Sequence, residues 1–144
     1  MSVLSDQQKL ELNRQRLTAV RGAWKVEQTL ARQNRGTRRW SVGQRAELLA
    51  TGRVKGYEGH HMKSVKMYPQ YAGNPQNIQL LTESEHLRAH NGNYHNPSNG
   101  YYNAQTKKME SFQQKELRPV PVMTLNMRYT ESKRINRRHE IKRA

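Results

Sequence analysis

The sequence predicts a small α+β protein with a two-stranded hairpin and one following helix at its centre, and further helices around them. Three observations carry this. Two stretches before residue 54 place apolar residues at helical spacing. A short apolar run at Ile78, Leu80 and Leu81 stops at Thr82, which forms a capping-box pattern with Glu85. Four of the six histidines, His60, His61, His86 and His90, fall on either side of that run.

Taken in order, residues 5–34 read as a helix opened by Ser5 and Gln8, with Leu10, Leu17, Val20, Trp24 and Leu30 as an imperfect apolar face. Its basic residues, Arg14, Arg16, Arg21, Lys25 and Arg32, can pack on the domain or lie along phosphates. RGTRRW at 35–40 is an arginine-dense loop. Ser41 and Gln44 cap a second helix that runs through Leu48 and Leu49 and ends at Gly52. Gly56 and Gly59 bracket an extended piece that finishes in the double histidine. Residues 62–76 lack a period, and Pro69, Gly73 and Pro75 predict a loop crossing back over the site. After the strand at 78–81, a helix covers about residues 83–91 and stops at Asn91 and Gly92. NGNYHNPSNGYYN at 91–103 reads as loop, 104–117 as another helix stopped before Pro119, and 120–130 as weak strand. ESKRINRRHEIKRA at the end is basic and helical in pattern. No repeat or linker divides the chain. The expected organisation is one domain, 1–144, with a mainly helical part at 5–53, a core at 54–97 and a basic extension at 98–144.

Only 33% of the 144 residues are hydrophobic, so the core is thin and stability leans on a metal or a partner. Lys and Arg number 26 against 11 Asp and Glu, a formal charge of +15, which favours a polyanion and nucleic acid first. The absence of cysteine excludes disulfides, thiolate nucleophiles and cysteine zinc sites. No apolar run reaches transmembrane length, and the opening MSVLSDQQKLELNRQR lacks a signal peptide's apolar stretch. Export then needs a specialised system or a longer parent chain.

His86 and His90 are one turn apart on one helix face, a common way to offer two imidazoles to one ion. With His60 and His61 before them, three histidines can hold a divalent cation with an open coordination position. The fourth stays free for proton transfer. A closed four-histidine structural site and no ligation at all are the competing readings.

GYEGHHMKSVKMYPQYAGNPQNIQLLTESEHLRAHNGN resembles the core of the HNH, or ββα-metal, nucleases, and within them the GHH branch of bacterial toxin nucleases. The resemblance covers 54–97, about a third of the chain, and is similar to the nuclease domains of DNA-cleaving colicins. The ordered spacing carries it: sixteen residues from His61 to Asn77, nine to His86, four to His90. It implies a single nuclease domain with a ββα-metal core. His60, His86 and His90 are then metal ligands, His61 the general base, and Asn77 the residue that ties the loop and orients the base. Glu58 gains a supporting or base-orienting role. On this resemblance, one divalent cation (Zn, Mg, Mn or Ni) serves hydrolysis of DNA to 5′-phosphate ends, with RNA left open. Partners are DNA and an acidic immunity protein, and the place of action is a target cell's cytoplasm. Lys63, Lys66 and Arg88 are the candidate phosphate contacts. His95 reads as a loop residue and His139 as a surface residue. Successive residues of a flat strand face opposite ways, so His60 and His61 need a twist or bend, for which Gly59 is the candidate. Competing functional readings are a phage or defence endonuclease, a nucleic-acid-binding protein with a structural metal, and a scaffold whose charge serves solubility.

Overall fold

The computed structural model describes residues 4–125. The expected basic helix near the end, His139, and the last part of the strand expected at 120–130 lie outside those residues. The element order is α1 (Asp6–Arg32), β1 (Arg35–Gly36), α2 (Val42–Thr51), β2 (Tyr57–His61), β3 (Ile78–Thr82), α3 (Glu83–Ala89), β4 (Gly100–Asn103), β5 (Lys108–Ser111) and β6 (Met123–Thr124). Short 3₁₀ turns at Pro69–Tyr71 and Pro75–Asn77 lie between β2 and β3. The mixture of helices and small antiparallel sheets is the α+β class that the sequence predicts. Among the described residues two compact units form, one from those up to Val26 with Lys55–Val120, the other from Glu27–Val54 with those from Pro121 on.

In the first unit, α1 starts at the expected capping box, where Gln8 N donates to Ser5 Oγ at 3.1 Å and Ser5 N to Gln8 Oε1 at 2.8 Å. The expected apolar face is only partly used. Leu10 and Leu17 are exposed, whereas Ala19 and Trp24 are buried. The helix instead approaches its neighbours through small residues. A Cβ added at Gly59 would lie 2.7 Å from Val20 Cγ2, and one at Gly22 would lie 2.8 Å from Pro75 Cγ. Backbone proximity, more than leucine burial, seats α1 beside β2 and its loop.

β2 and β3 form an antiparallel hairpin with Glu58 opposite Leu81, His60 opposite Gln79 and His61 opposite Ile78. Thr82 then caps α3 with a full capping box. The helix ends two residues early, at Ala89, with His90 as its C-cap, and Asn91 and Gly92 follow at φ 54° and 87°.

The expected helix at 104–117 is not formed. Residues 100–111 make a second hairpin, β4 with β5, in the register Tyr101 to Glu110 and Tyr102 to Met109. Its physical reasons are local and tertiary. Asn103 Oδ1 accepts from Gln105 N and Thr106 N at 3.0 and 3.2 Å, and Lys107 takes φ 60°, which closes a turn where a helix would run. Buried Tyr102 packs with Leu81 and Ala89, and the Gln79 side-chain amide bonds both backbone polar groups of Tyr102, at 2.6 and 2.9 Å. At Gly100 a Cβ would sit 2.5 Å from Glu110 O, so the crossing strands require glycine there.

In the second unit, Ser41 and Gln44 form the expected capping box of α2, and Gly52 ends it in the left-handed conformation at φ 86°. Buried Glu27 accepts three hydrogen bonds of 2.7 Å, from Thr37 N, Thr37 Oγ1 and Trp40 Nε1. Those bonds fold the arginine-dense loop back on α1. β1 pairs antiparallel with β6 through Arg35–Thr124 and Gly36–Met123.

Candidate metal centre and cleft

Two elements of the first unit bring His60, His86 and His90 together: β2 supplies the first, α3 the second, and the C-cap of α3 the third. One ring nitrogen from each lies within 4.8 Å of the others, and all three pairs of ring centroids are 5.0 Å apart. Two of these rings have a fixed tautomer. His86 Nδ1 faces Glu58 Oε1 at 2.7 Å, and His90 Nδ1 faces the Asn96 carbonyl at 2.7 Å. A carbonyl or ionised carboxylate can only accept, so each Nδ1 carries the proton and each Nε2 keeps its lone pair. Strand alternation explains Glu58: it lies two residues from His60, hence on the same strand face.

His60 is fully buried, yet neither of its ring nitrogens has a hydrogen-bond partner. An imidazole stripped of water with no partner is costly, by about 1–3 kcal/mol for each unsatisfied group. A divalent cation bound among the three rings would relieve it, and three neutral imidazoles suit zinc or nickel by ligand type. The residues present therefore fit an ion. Burial holds the His60 pKa well below the ordinary histidine value, and the neighbouring His86, His90 and His61 push it the same way. Burial also lowers the His86 pKa, against the pull of Glu58. His60 and His86 are thus biased towards the neutral form that a metal requires.

His61 takes no part in that cluster. Its Nε2 lies 3.0 Å from the Ala72 carbonyl, so Nε2 donates and Nδ1 is left as an acceptor. Burial lowers its pKa, and Arg16 and His86 add to this, although the bond to Ala72 opposes it. His61, His86 and His90 all line one cleft of about 440 Å³, with Arg16, Lys66 and Tyr94 also in its wall. Adjacent strand residues thus serve two neighbouring places: His60 is buried among the rings, and His61 faces the open cleft. The cause is position. His61 is the last residue of β2, and the loop beyond it, through Ala72, holds its ring.

The other sequence-predicted residues divide. Asn77 is buried and does not bond His61. Its Oδ1 accepts from Lys63 N at 2.8 Å, and its Nδ2 donates to the Lys63 and Tyr71 carbonyls at 2.9 and 3.4 Å. It closes the loop that carries Ala72, and so reaches His61 through that loop. Glu58 pairs with His86 and not with His61. Lys63, expected to face phosphate, points inward instead. It is fully buried, and its ammonium donates to Asn99 Oδ1 at 2.7 Å and to the Gln113 and Gln114 carbonyls at 3.0 Å each. The Tyr68 ring covers it at 4.2 Å. That many acceptors occupy the donor capacity of an ammonium and fasten the segment after β5 to the end of β2. Lys66 is exposed in the cleft wall, whereas Arg88 is exposed on α3 outside it. A residue two positions after His86 on a helix projects away from the His86–His90 face.

Arg16 is the cleft cation that the sequence reading left undivided from the other basic residues of α1. Gly59, so close to Val20, and Gly73, where a Cβ would lie 3.4 Å from Gln15, mark where α1 passes over the loop. Both glycines are visible in the sequence, but their partners are not.

A family of GHH-signature-containing HNH/Endo VII superfamily nuclease toxins matches residues 6–82, which include Glu58, His60, His61 and Asn77 and end before His86 and His90. Human Teneurin-4 is 44% identical over 77 residues, 53% of this chain and 3% of that protein. Mouse Teneurin-3 is 43% identical over 77 residues, again 53% and 3%, and Drosophila melanogaster Teneurin-m is 32% identical over 80 residues, 54% and 3%. The chain therefore spans a small fraction of the length of these relatives. With more than half of its residues inside the family match, the chain belongs to the GHH-signature nuclease toxins of the HNH/Endo VII superfamily.

Proposed function

We propose that the protein is a metal-dependent endonuclease that hydrolyses DNA phosphodiester bonds with little sequence specificity and acts as an antibacterial toxin. The observation that carries this is the buried His60 ring, without a hydrogen-bond partner and clustered with the rings of His86 and His90, beside a fourth histidine turned to an open cleft.

His60, His86 and His90 would hold one divalent cation, which would supply positive charge to stabilise the charge that grows on the phosphate as it is cleaved. Glu58 and the Asn96 carbonyl hold His86 and His90 in the ligating tautomer. His61 takes the proton of the attacking water at Nδ1, the atom that its bond to Ala72 leaves free. Its lowered pKa keeps it unprotonated near neutrality. Asn77 positions the base by closing the loop around Ala72. Arg16 and Lys66 meet phosphate oxygens from the cleft wall. The formal charge of +15 adds sequence-independent attraction to DNA and favours an acidic immunity protein as the cognate inhibitor. The relatives carry the matching stretch within far longer chains, which favours delivery as part of a longer protein; the toxin family favours a target cell's cytoplasm as the place of action.

The test is nicking of supercoiled plasmid with Mg²⁺, Mn²⁺, Ni²⁺ or Zn²⁺ supplied singly. Wild type should nick with at least one ion, and His61→Ala should be slower by about 10²–10⁴-fold. Tight DNA binding without cleavage under every ion contradicts the enzyme and leaves a nucleic-acid-binding protein with a structural metal.

A further inference from the structure

Among the described residues that line the cleft, Tyr94 is the one phenol or indole. Its ring lies 5.1 Å from the His86 ring at 72° and 5.8 Å from the His90 ring at 56°. Such inclined packing occupies part of the ring surface, and the residue remains 47% exposed. The ring is held. Its hydroxyl donates to the Glu83 carbonyl at 3.3 Å, and its loop is clasped on both sides. His95 N donates to Asn93 Oδ1 at 2.9 Å, while Asn96 Nδ2 donates to the His90 carbonyl at 2.9 Å in return for the bond His90 gives to Asn96.

We propose that Tyr94 forms a stacking subsite for an unpaired nucleobase beside the scissile phosphate. This rests on the nuclease reading above. A rigid, half-exposed aromatic ring in a cationic cleft offers what a base face takes, and such stacking is sequence-tolerant. The ring touches two of the three clustered histidines, so the base it meets is the one next to the reacting phosphate. In a duplex that base is stacked and paired, with no face to offer. The favoured substrate is therefore single-stranded or locally unpaired nucleic acid, whose backbone Arg16 and Lys66 contact within the same cleft.

The test uses the full chain carrying His61→Ala, loaded with Zn²⁺ and titrated into an oligonucleotide with a fluorescent purine analogue, as a single strand and as a duplex. Adding Tyr94→Leu should weaken single-strand binding about tenfold, abolish the stacking quench and change duplex binding by less than about twofold. Tyr94→Phe, which loses the bond to Glu83 but keeps the ring against His86 and His90, should retain most of the single-strand affinity and the stacking quench. Equal effects on both substrates, or no effect on either, overturn the subsite. So does a comparable loss of Zn²⁺ affinity in Tyr94→Leu, since Tyr94 would then only prop His86 and His90. Failure of the nuclease reading is separate: wild type would cleave neither substrate, while the binding ratio would still decide Tyr94.

Discussion

Three histidines that line the cleft have their direction set by a single acceptor each: Glu58 for His86, Asn96 O for His90 and Ala72 O for His61. Each acceptor decides which ring nitrogen is left for chemistry. Glu58→Gln keeps the shape but can present an amide hydrogen to His86 Nδ1, which weakens the hold on the ligating tautomer. Its metal affinity should fall about 10–100-fold, measured by competition with a chromophoric chelator. An affinity equal to wild type would show that Glu58 has no hold on the site. Lys63 and Lys66, three residues apart, should separate cleanly. Lys63→Met strands Asn99 Oδ1 and two carbonyls, and should cost about 1–3 kcal/mol in urea unfolding without changing the salt dependence of DNA binding. Lys66→Gln should leave stability alone and reduce the slope of log affinity against log salt by about 1. The opposite assignment would return Lys63 to the phosphate-facing set.

At the scale of elements, the hairpin and α3 were legible because their signals are local. The Thr82–Glu85 box, the apolar run before it and the one-turn separation of His86 and His90 need no distant partner. Residues 100–111 were not, because a tyrosine pair and an asparagine turn form strands only when Leu81, Ala89 and Gln79 offer a surface and bonding partners. The same holds for α1. Its leucines announce a helix, but Ala19, Gly22 and Gly59 decide how it sits, and small residues leave little trace in a hydrophobic pattern. The inward turn of Lys63 was equally hidden, since three of its acceptors come from residues 36 to 51 positions away. Gly59→Ala tests the close approach of α1. Its Cβ would meet Val20 Cγ2 at 2.7 Å, so the variant should lose about 1–3 kcal/mol of stability in denaturant unfolding. A neutral substitution would mean that α1 yields freely and does not fix Arg16 in the cleft.

For the molecule as a whole, burial of neutral histidines links stability to pH. His60, His61 and His86 all have pKa values below their ordinary value in the folded state. The unfolded chain then binds more protons than the native one as pH falls below about 6.5. Stability of the metal-free protein is full above that pH and should decline through the acid range until the native values are passed. Thermal unfolding followed against pH checks this, and a midpoint that stays flat or rises on acidification would contradict it. The charge of +15 bears on partners at this same scale, since any acidic protein or nucleic acid meets one sign of field. The central claim remains the division between two adjacent residues of β2. Equilibrium titration of Zn²⁺ into His60→Ala and His61→Ala tests it most directly. His60→Ala should lose at least about a hundredfold in affinity, while His61→Ala should bind within about threefold of wild type. Equal losses in the two variants, or retention by His60→Ala, would contradict it.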